Sequence, residues 1–182
     1  AKKNIIMNKL FNLRTSVVLL LIVLGALSRL LPHLPNFTPI GAIALFGGCF
    51  IKRKELAYSL PLVILLLSDI LIGFHSILVF LYFSFLLTVF IGGLIKEVRI
   101  LNILGGALLS SILFYVITNF GVWVVSGMYE MSIKGLIECY VMALPFFRYE
   151  ILGNIFYSGI LFGIFTLLEY YIPSLRLKEE RL

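Results

Sequence analysis

The chain has 182 residues, of which 61% are hydrophobic and only 13% are charged, whereas a soluble domain has about 45–50% apolar and about 25% charged residues. This small number of polar side chains cannot cover the surface of a water-soluble globule. The composition therefore predicts an integral membrane protein with one domain over residues 1–182. The net charge of +6 gives little support to a nucleic-acid role, because most basic residues lie at the two ends of the chain and in alternate short connections between apolar segments.

Six apolar segments follow one another along the chain, and a membrane-spanning helix needs about 20 apolar residues. They occupy residues 15–31, 38–51, 56–73, 76–95, 100–126 and 150–172. We therefore predict an all-α integral membrane protein with six transmembrane helices in one bundle and a short second helix. A further apolar stretch carries Lys134, Glu138 and Pro145, so an additional interfacial or re-entrant segment is predicted near 133–147.

The basic residues alternate between connections. Twelve of the fifteen precede the first segment, follow the sixth, or lie in the second–third and fourth–fifth connections. Short loops rich in Lys and Arg stay in the cytoplasm. Both termini are therefore predicted to be cytoplasmic, as short basic tails at 1–14 and 174–182.

The connection between the first two segments is rich in proline. Pro32, Pro35 and Pro39 remove three backbone donors within eight residues, so residues 33–39 are predicted to be non-helical. Non-helical backbone at membrane depth survives only where it is buried in protein or lines a cavity. We therefore expect this segment to line a cavity that opens to the outside.

The third segment contains a carboxylate, Asp69, about 21 Å along the helix at about 1.5 Å per residue. A charge at such a depth costs at least about 2.5 kcal/mol, so Asp69 must face a partner or a water-filled cavity. Arg148, at the start of the sixth segment, is its natural partner. The two are expected to meet at the outer cavity, either as a structural ion pair or as contacts to one ligand.

The candidate substrate-binding residues are the polar and aromatic side chains predicted to lie on the outer side, where rings could stack on a planar ligand. They are His33, Asn36, Asp69, His75, Tyr82, Asn119, Trp123, Tyr129 and Arg148. The two histidines do not have the spacing of a zinc site, and no P-loop motif is present. A binding protein with no intrinsic cofactor or ATPase is therefore favoured over an enzyme.

Four stretches within residues 25–170 carry a family resemblance: RLLPHLPNFTPIGAIALFGG, LLLSDILIGFHS, NFGVWVVSGMY and ALPFFRYEILGNIFYSGILFG. They resemble a family of small prokaryotic membrane proteins similar to the substrate-binding S components of energy-coupling factor (ECF) vitamin transporters, including the solitary cobalamin-specific kind. The resemblance implies an outward substrate pocket, a multi-pass location in the cytoplasmic (inner) membrane of a prokaryote, and a partnership with a coupling subunit and two ATPases. The first helix has only Gly25, Ala26 and Ser28 as small residues in place of the A-x-x-x-A docking pattern, which leaves open that the protein acts alone.

Two functions follow as hypotheses. The first is a substrate-binding membrane subunit for uptake of a vitamin or related micronutrient, with cobalamin or another corrinoid favoured. His75, His33 or Cys139 would then be candidate axial ligands for the cobalt of the bound corrinoid. The alternative is a membrane enzyme or accessory subunit acting on lipid, with Asp69, His75 and Glu130 as acid–base groups.

Overall fold

The computed structural model describes residues 13–28, 34–74 and 76–176. These residues form six α-helices and a short 3₁₀ helix, and no strand is found among them. The helices are α1 (Leu13–Ser28), α2 (Ile40–Phe50), α3 (Lys54–Ile72), α4 (Leu78–Leu94), α5 (Ile100–Val125) and α6 (Ile133–Tyr171), with the 3₁₀ helix at Pro173–Leu175. Within the described ranges, α5 and α6 are long and apolar enough to cross a membrane. The first five predicted helices begin and end within two residues of α1 to α5, except that the predicted end of the first, residue 31, lies outside the described residues.

Helix α6 differs most from the prediction. It has 39 residues, so it is about 58 Å long at about 1.5 Å per residue. Residues 133–147, predicted as an additional interfacial or re-entrant segment, are not a separate element, because the helix runs through Pro145 without interruption. Two tyrosines hold this part against α5: the Tyr115 hydroxyl donates to the carbonyl oxygen of Tyr140 (2.5 Å), and the Tyr140 hydroxyl donates to that of Val116 (2.7 Å).

The short helix α2 lies at the centre of the bundle and packs against the other five described helices. All of residues 40–47 are buried, as expected for a helix that is apolar on every side. Two glycines allow its close approach to α4. A Cβ atom on Gly48 would collide with the backbone of Val89, and one on Gly92 would collide with that of Leu45. Since only small residues let helix backbones come so close, this crossing depends on both glycines.

The start of α1 is tied to the end of α6 by a largely buried ion pair between Arg14 and Glu169. The Arg14 guanidinium also lies over two phenylalanine rings, 4.9 and 5.3 Å from their centroids, and donates to the Leu175 carbonyl oxygen (2.6 Å). Part of each predicted tail, 1–14 and 174–182, therefore belongs to the bundle. Arg14 is part of α1, and Leu175 is fully buried in the 3₁₀ helix.

The two ends of the bundle differ in charge. One, the basic end, carries the α2–α3 and α4–α5 loops; the other, the cavity end, carries the α1–α2, α3–α4 and α5–α6 loops. The exposed basic side chains of the basic end are Lys52, Arg53, Lys54, Lys96, Arg99 and Arg176. Between the ends, the outward faces of the helices are apolar, with side chains such as Leu20, Leu101 and Phe156 more than half exposed.

Candidate ligand-binding cavity

A cavity of about 330 Å³ lies at the cavity end, enclosed by the end of α3, the start of α4, the second half of α5 and the first half of α6. Small-ligand sites typically measure about 300–1,000 Å³. The lining residues are Asn36, Asp69, Ile77, Leu81, Phe114, Tyr115, Thr118, Asn119, Val122, Ala143, Phe146, Phe147 and Glu150. A smaller chamber of about 110 Å³ adjoins it and shares four of these residues, Asn36, Leu81, Phe114 and Glu150.

Two helix faces form most of the wall. Each contributes four side chains at positions i, i+3, i+4 and i+7, the spacing that places residues on one side of an α-helix. On α5 they are Tyr115, Thr118, Asn119 and Val122; on α6 they are Ala143, Phe146, Phe147 and Glu150. The faces meet through the stacked rings of Tyr115 and Phe147, whose centroids are 4.3 Å apart.

The proline-rich loop supplies the remaining polar wall residue. The described part, residues 34–39, is non-helical as predicted. The Phe37 N–H donates to the Leu34 carbonyl oxygen (3.0 Å), with Pro35 second and Asn36 third in the turn. Asn36 has a φ of 62°, and proline followed by a residue of positive φ is the pattern of a type II turn. The turn places Asn36 in the cavity wall.

Two carboxylates in the cavity wall have an unsatisfied oxygen. Asp69 is only 1% exposed, and the Tyr82 hydroxyl donates to its Oδ2 (2.9 Å). Asp69 Oδ1 and Glu150 Oε2 are buried and have no hydrogen-bond partner among the described residues. Leaving such an acceptor unpaired costs about 1–3 kcal/mol, and more when it is charged. Both oxygens can therefore accept a hydrogen bond from water or from a ligand in the cavity.

The predicted meeting of Asp69 and Arg148 is wrong. Within the described residues the two form no ion pair, and Arg148 does not line the cavity. Its exposed guanidinium lies over the ring of Tyr149, 4.7 Å from the centroid, and donates to that residue's hydroxyl (3.0 Å). The physical reason is the continuity of α6. Successive residues are about 100° apart around a helix, so with Phe147 and Glu150 turned inward, Arg148 turns outward.

Three of the predicted substrate-binding residues, Asn36, Asp69 and Asn119, line the cavity. The side-chain amide of Asn119 donates to the Tyr115 carbonyl oxygen (2.8 Å) one turn earlier. Tyr82 is not part of the wall but lies behind it, where its hydroxyl fixes the orientation of the Asp69 carboxylate.

The other predicted residues lie elsewhere. Trp123 and Tyr129 do not line the cavity, and the Trp123 indole N–H donates to a carbonyl oxygen of the α5–α6 loop (3.0 Å). Cys139 is buried behind the wall, where its thiol donates to a carbonyl oxygen of α5 (3.4 Å). His33 and His75 lie outside the described residues, so of the three candidate cobalt ligands only the cysteine can be located.

Sequence reasoning missed Glu150 as a site residue, along with the aromatic residues Phe114, Tyr115 and Phe147. The signal that could have found them is the i, i+3, i+4, i+7 spacing along 143–150. It was not recognised because the predicted boundary between two segments fell inside that stretch.

A buried polar cluster next to the cavity joins α6 to α5. The Asn154 side-chain amide lies 3.0 Å from the hydroxyls of Ser110 and Ser111 and from a backbone carbonyl oxygen of α5. A Cβ on Gly41 would come within 3.0 Å of Asn154 Oδ1, so a glycine in α2 makes room for this side chain. Asn154 Oδ1 and the Ser158 hydroxyl have no partner among the described residues, and neither side chain lines the cavity.

Comparison with known proteins gives one result. A model of a family of unknown function, DUF6580, matches residues 9–175, so the chain belongs to this family. No curated protein and no solved structure gives a significant match.

Proposed function

We propose that this member of the DUF6580 family is the substrate-binding membrane subunit of an uptake system for a vitamin or related micronutrient. The observation that carries the proposal is the unsatisfied oxygen of the buried Asp69 in a cavity of about 330 Å³. An ionisable residue inside a membrane bundle marks a functional site by default, because burying it is costly. A binding protein recovers that cost when a ligand donates to the carboxylate.

We further propose that all six helices lie in the cytoplasmic (inner) membrane of a prokaryote, with both termini in the cytoplasm. Three features support this: the apolar outward faces, the length of α5 and α6, and the concentration of exposed Lys and Arg at the basic end. The cavity end then faces outward. At about 58 Å, α6 is longer than the roughly 30 Å hydrocarbon core, so its first third extends beyond the core or the helix is tilted.

The size of the cavity bears on the substrate. About 330 Å³, with an adjoining chamber of about 110 Å³, is near the lower limit for drug-sized ligands. A corrinoid is considerably larger than such ligands. The cavity volume therefore favours a vitamin of one or two rings over the corrinoid named above, and Cys139, one candidate for the cobalt ligand, does not line the cavity.

The source of energy lies outside this chain in the proposal. The sequence has no P-loop, so the protein would either join a coupling subunit and two ATPases or pass its substrate on alone. The alternative, an enzyme or accessory subunit acting on lipid, would use Asp69, His75 and Glu130 as acid–base groups in one site, and His75 lies outside the described residues. Glu130 is exposed in the α5–α6 loop, its carboxylate accepts from the Ser132 hydroxyl (3.1 Å), and it does not line the cavity.

Mass spectrometry of the small molecules released from gently purified protein tests this proposal. Ala143→Trp would fill the cavity from α6, and Leu101→Trp would add the same side chain on an exposed face of α5. We expect a solute that accompanies the wild type and Leu101→Trp but is absent from Ala143→Trp. The proposal is wrong if all three preparations carry the same small molecules.

A further inference from the structure

The cavity wall is acidic. Its described residues include two carboxylates, Asp69 and Glu150, and no Lys, Arg or His. Arg148, the nearest basic residue along α6, turns outward onto Tyr149. An anionic ligand would therefore face two acidic side chains without a compensating positive charge from these residues, whereas a cation would be compatible with them.

The carboxylates also present acceptors and not donors to a ligand. Tyr82 donates to one oxygen of Asp69 and leaves Oδ1 free to accept from a second donor. Glu150 Oε2 is unsatisfied in the same way. Ionised carboxylates only accept hydrogen bonds, so the complementary ligand must carry N–H or O–H donors.

Aromatic rings make up much of the remaining wall. Tyr115 and Phe147 stack on each other, and Phe114 and Phe146 line the same cavity. Faces of aromatic rings attract cations within about 6 Å of the centroid, and such rings together with carboxylates are suited to organic cations. Flat ligands also gain from stacking against them.

From this combination we propose that the cavity selects a small organic cation with N–H donors on or beside a flat ring, such as an amidinium or a protonated heterocyclic amine. The inference rests on the proposed function and specifies its substrate class. A bare divalent metal ion fits less well, because among the described residues no three His, Cys, Asp or Glu side chains come together. The aromatic wall would also contribute nothing to metal coordination.

Three probes of the same size and shape test the sign of the charge: benzamidine (a cation), benzamide (neutral) and benzoate (an anion). Their affinities would be measured by titration calorimetry on the full chain in lipid nanodiscs, with Mn²⁺ alone as a fourth probe. We expect benzamidine to bind at least about tenfold more tightly than the other two organic probes, since a hydrogen bond between two charged groups is stronger than one to a neutral group. Asp69→Asn and Glu150→Gln should each remove most of this preference.

Glu97→Gln is the matched control, because Glu97 is an exposed carboxylate at the basic end, and it should leave the preference unchanged. The inference is overturned if benzamide or benzoate binds as well as benzamidine, if no organic probe binds, or if Mn²⁺ binds and is lost in Asp69→Asn. The released solute separates this failure from that of the proposed function. A neutral or anionic solute that is absent from Ala143→Trp refutes the substrate class alone, whereas the lack of any solute that distinguishes the wild type from Ala143→Trp refutes the proposed function as well.

Discussion

Arg14→Met should destabilise the protein strongly, although the residue is at the beginning of α1 and far from the cavity. Its ion pair with Glu169 is mostly buried, with side chains 12% and 23% exposed. A second arginine–glutamate pair, Arg99 with Glu97 (3.0 Å), is 75% and 60% exposed. The two pairs have the same chemistry and differ in burial, so Arg99→Met is the matched control.

The magnitude follows from that difference. Removing one partner of a buried ion pair costs about 3–5 kcal/mol, because the other charge is left uncompensated. Since the Arg14 pair keeps some solvent contact, we expect a loss near the lower value, about 3 kcal/mol, including its contact with two phenylalanine rings. An exposed pair contributes about 0–1 kcal/mol.

Thermal unfolding in one detergent, followed by circular dichroism, measures both changes. At about 2–4 °C per kcal/mol for a chain of this size, Arg14→Met should lower the melting temperature by about 6–12 °C and Arg99→Met by at most about 4 °C. The double variant Arg14→Met with Glu169→Leu should recover part of the loss, because no buried charge remains. Equal, small decreases for the two single variants would refute the reasoning.

Three further changes have distinct expected outcomes. Gly92→Leu places a side chain against the backbone of α2 and should cost about 3 kcal/mol, whereas Gly159→Leu, with open space around its Cβ, should change the melting temperature little. Asn154→Leu removes a buried interhelical contact and should cost about 1 kcal/mol in the same assay; an unchanged melting temperature would show that the cluster is not stabilising. Tyr82→Phe loses the hydroxyl that orients Asp69 and should weaken benzamidine binding about fivefold by calorimetry, and unaltered affinity would exclude that positioning role.

Local backbone chemistry was sufficient to predict the loop before α2. Proline cannot donate a backbone hydrogen bond, so the spacing of Pro32, Pro35 and Pro39 predicted a non-helical segment, and residues 34–39 are non-helical. Helix positions were predictable for a similar reason, because apolar runs bounded by charge or proline give α1 to α5. The left-handed conformation of Asn36 is typical of asparagine after proline in a turn.

The course of α6 and the partner of Asp69 could not be predicted in this way, because both depend on contacts between helices. Pro145 favours a break, yet the helix continues through it, and the Tyr115 and Tyr140 hydroxyls each donate a hydrogen bond between α5 and α6. The cost of burying a charge requires a partner but does not identify it. By cost alone, either Arg148 or the Tyr82 phenol could have been the partner of Asp69. The rotation of α6 about its own axis decides between them, because it turns Arg148 away from the cavity.

The affinity of Asp69→Asn for the solute that accompanies the wild type, measured together with its melting temperature, tests the central claim most directly. The asparagine keeps the size of the side chain and can still accept from Tyr82, but it removes the buried charge. If the cavity binds the solute through Asp69, affinity should fall at least about tenfold while the empty protein melts at the same temperature or higher. Unchanged affinity with a lower melting temperature would contradict the account, because Asp69 would then stabilise the bundle without contacting a substrate.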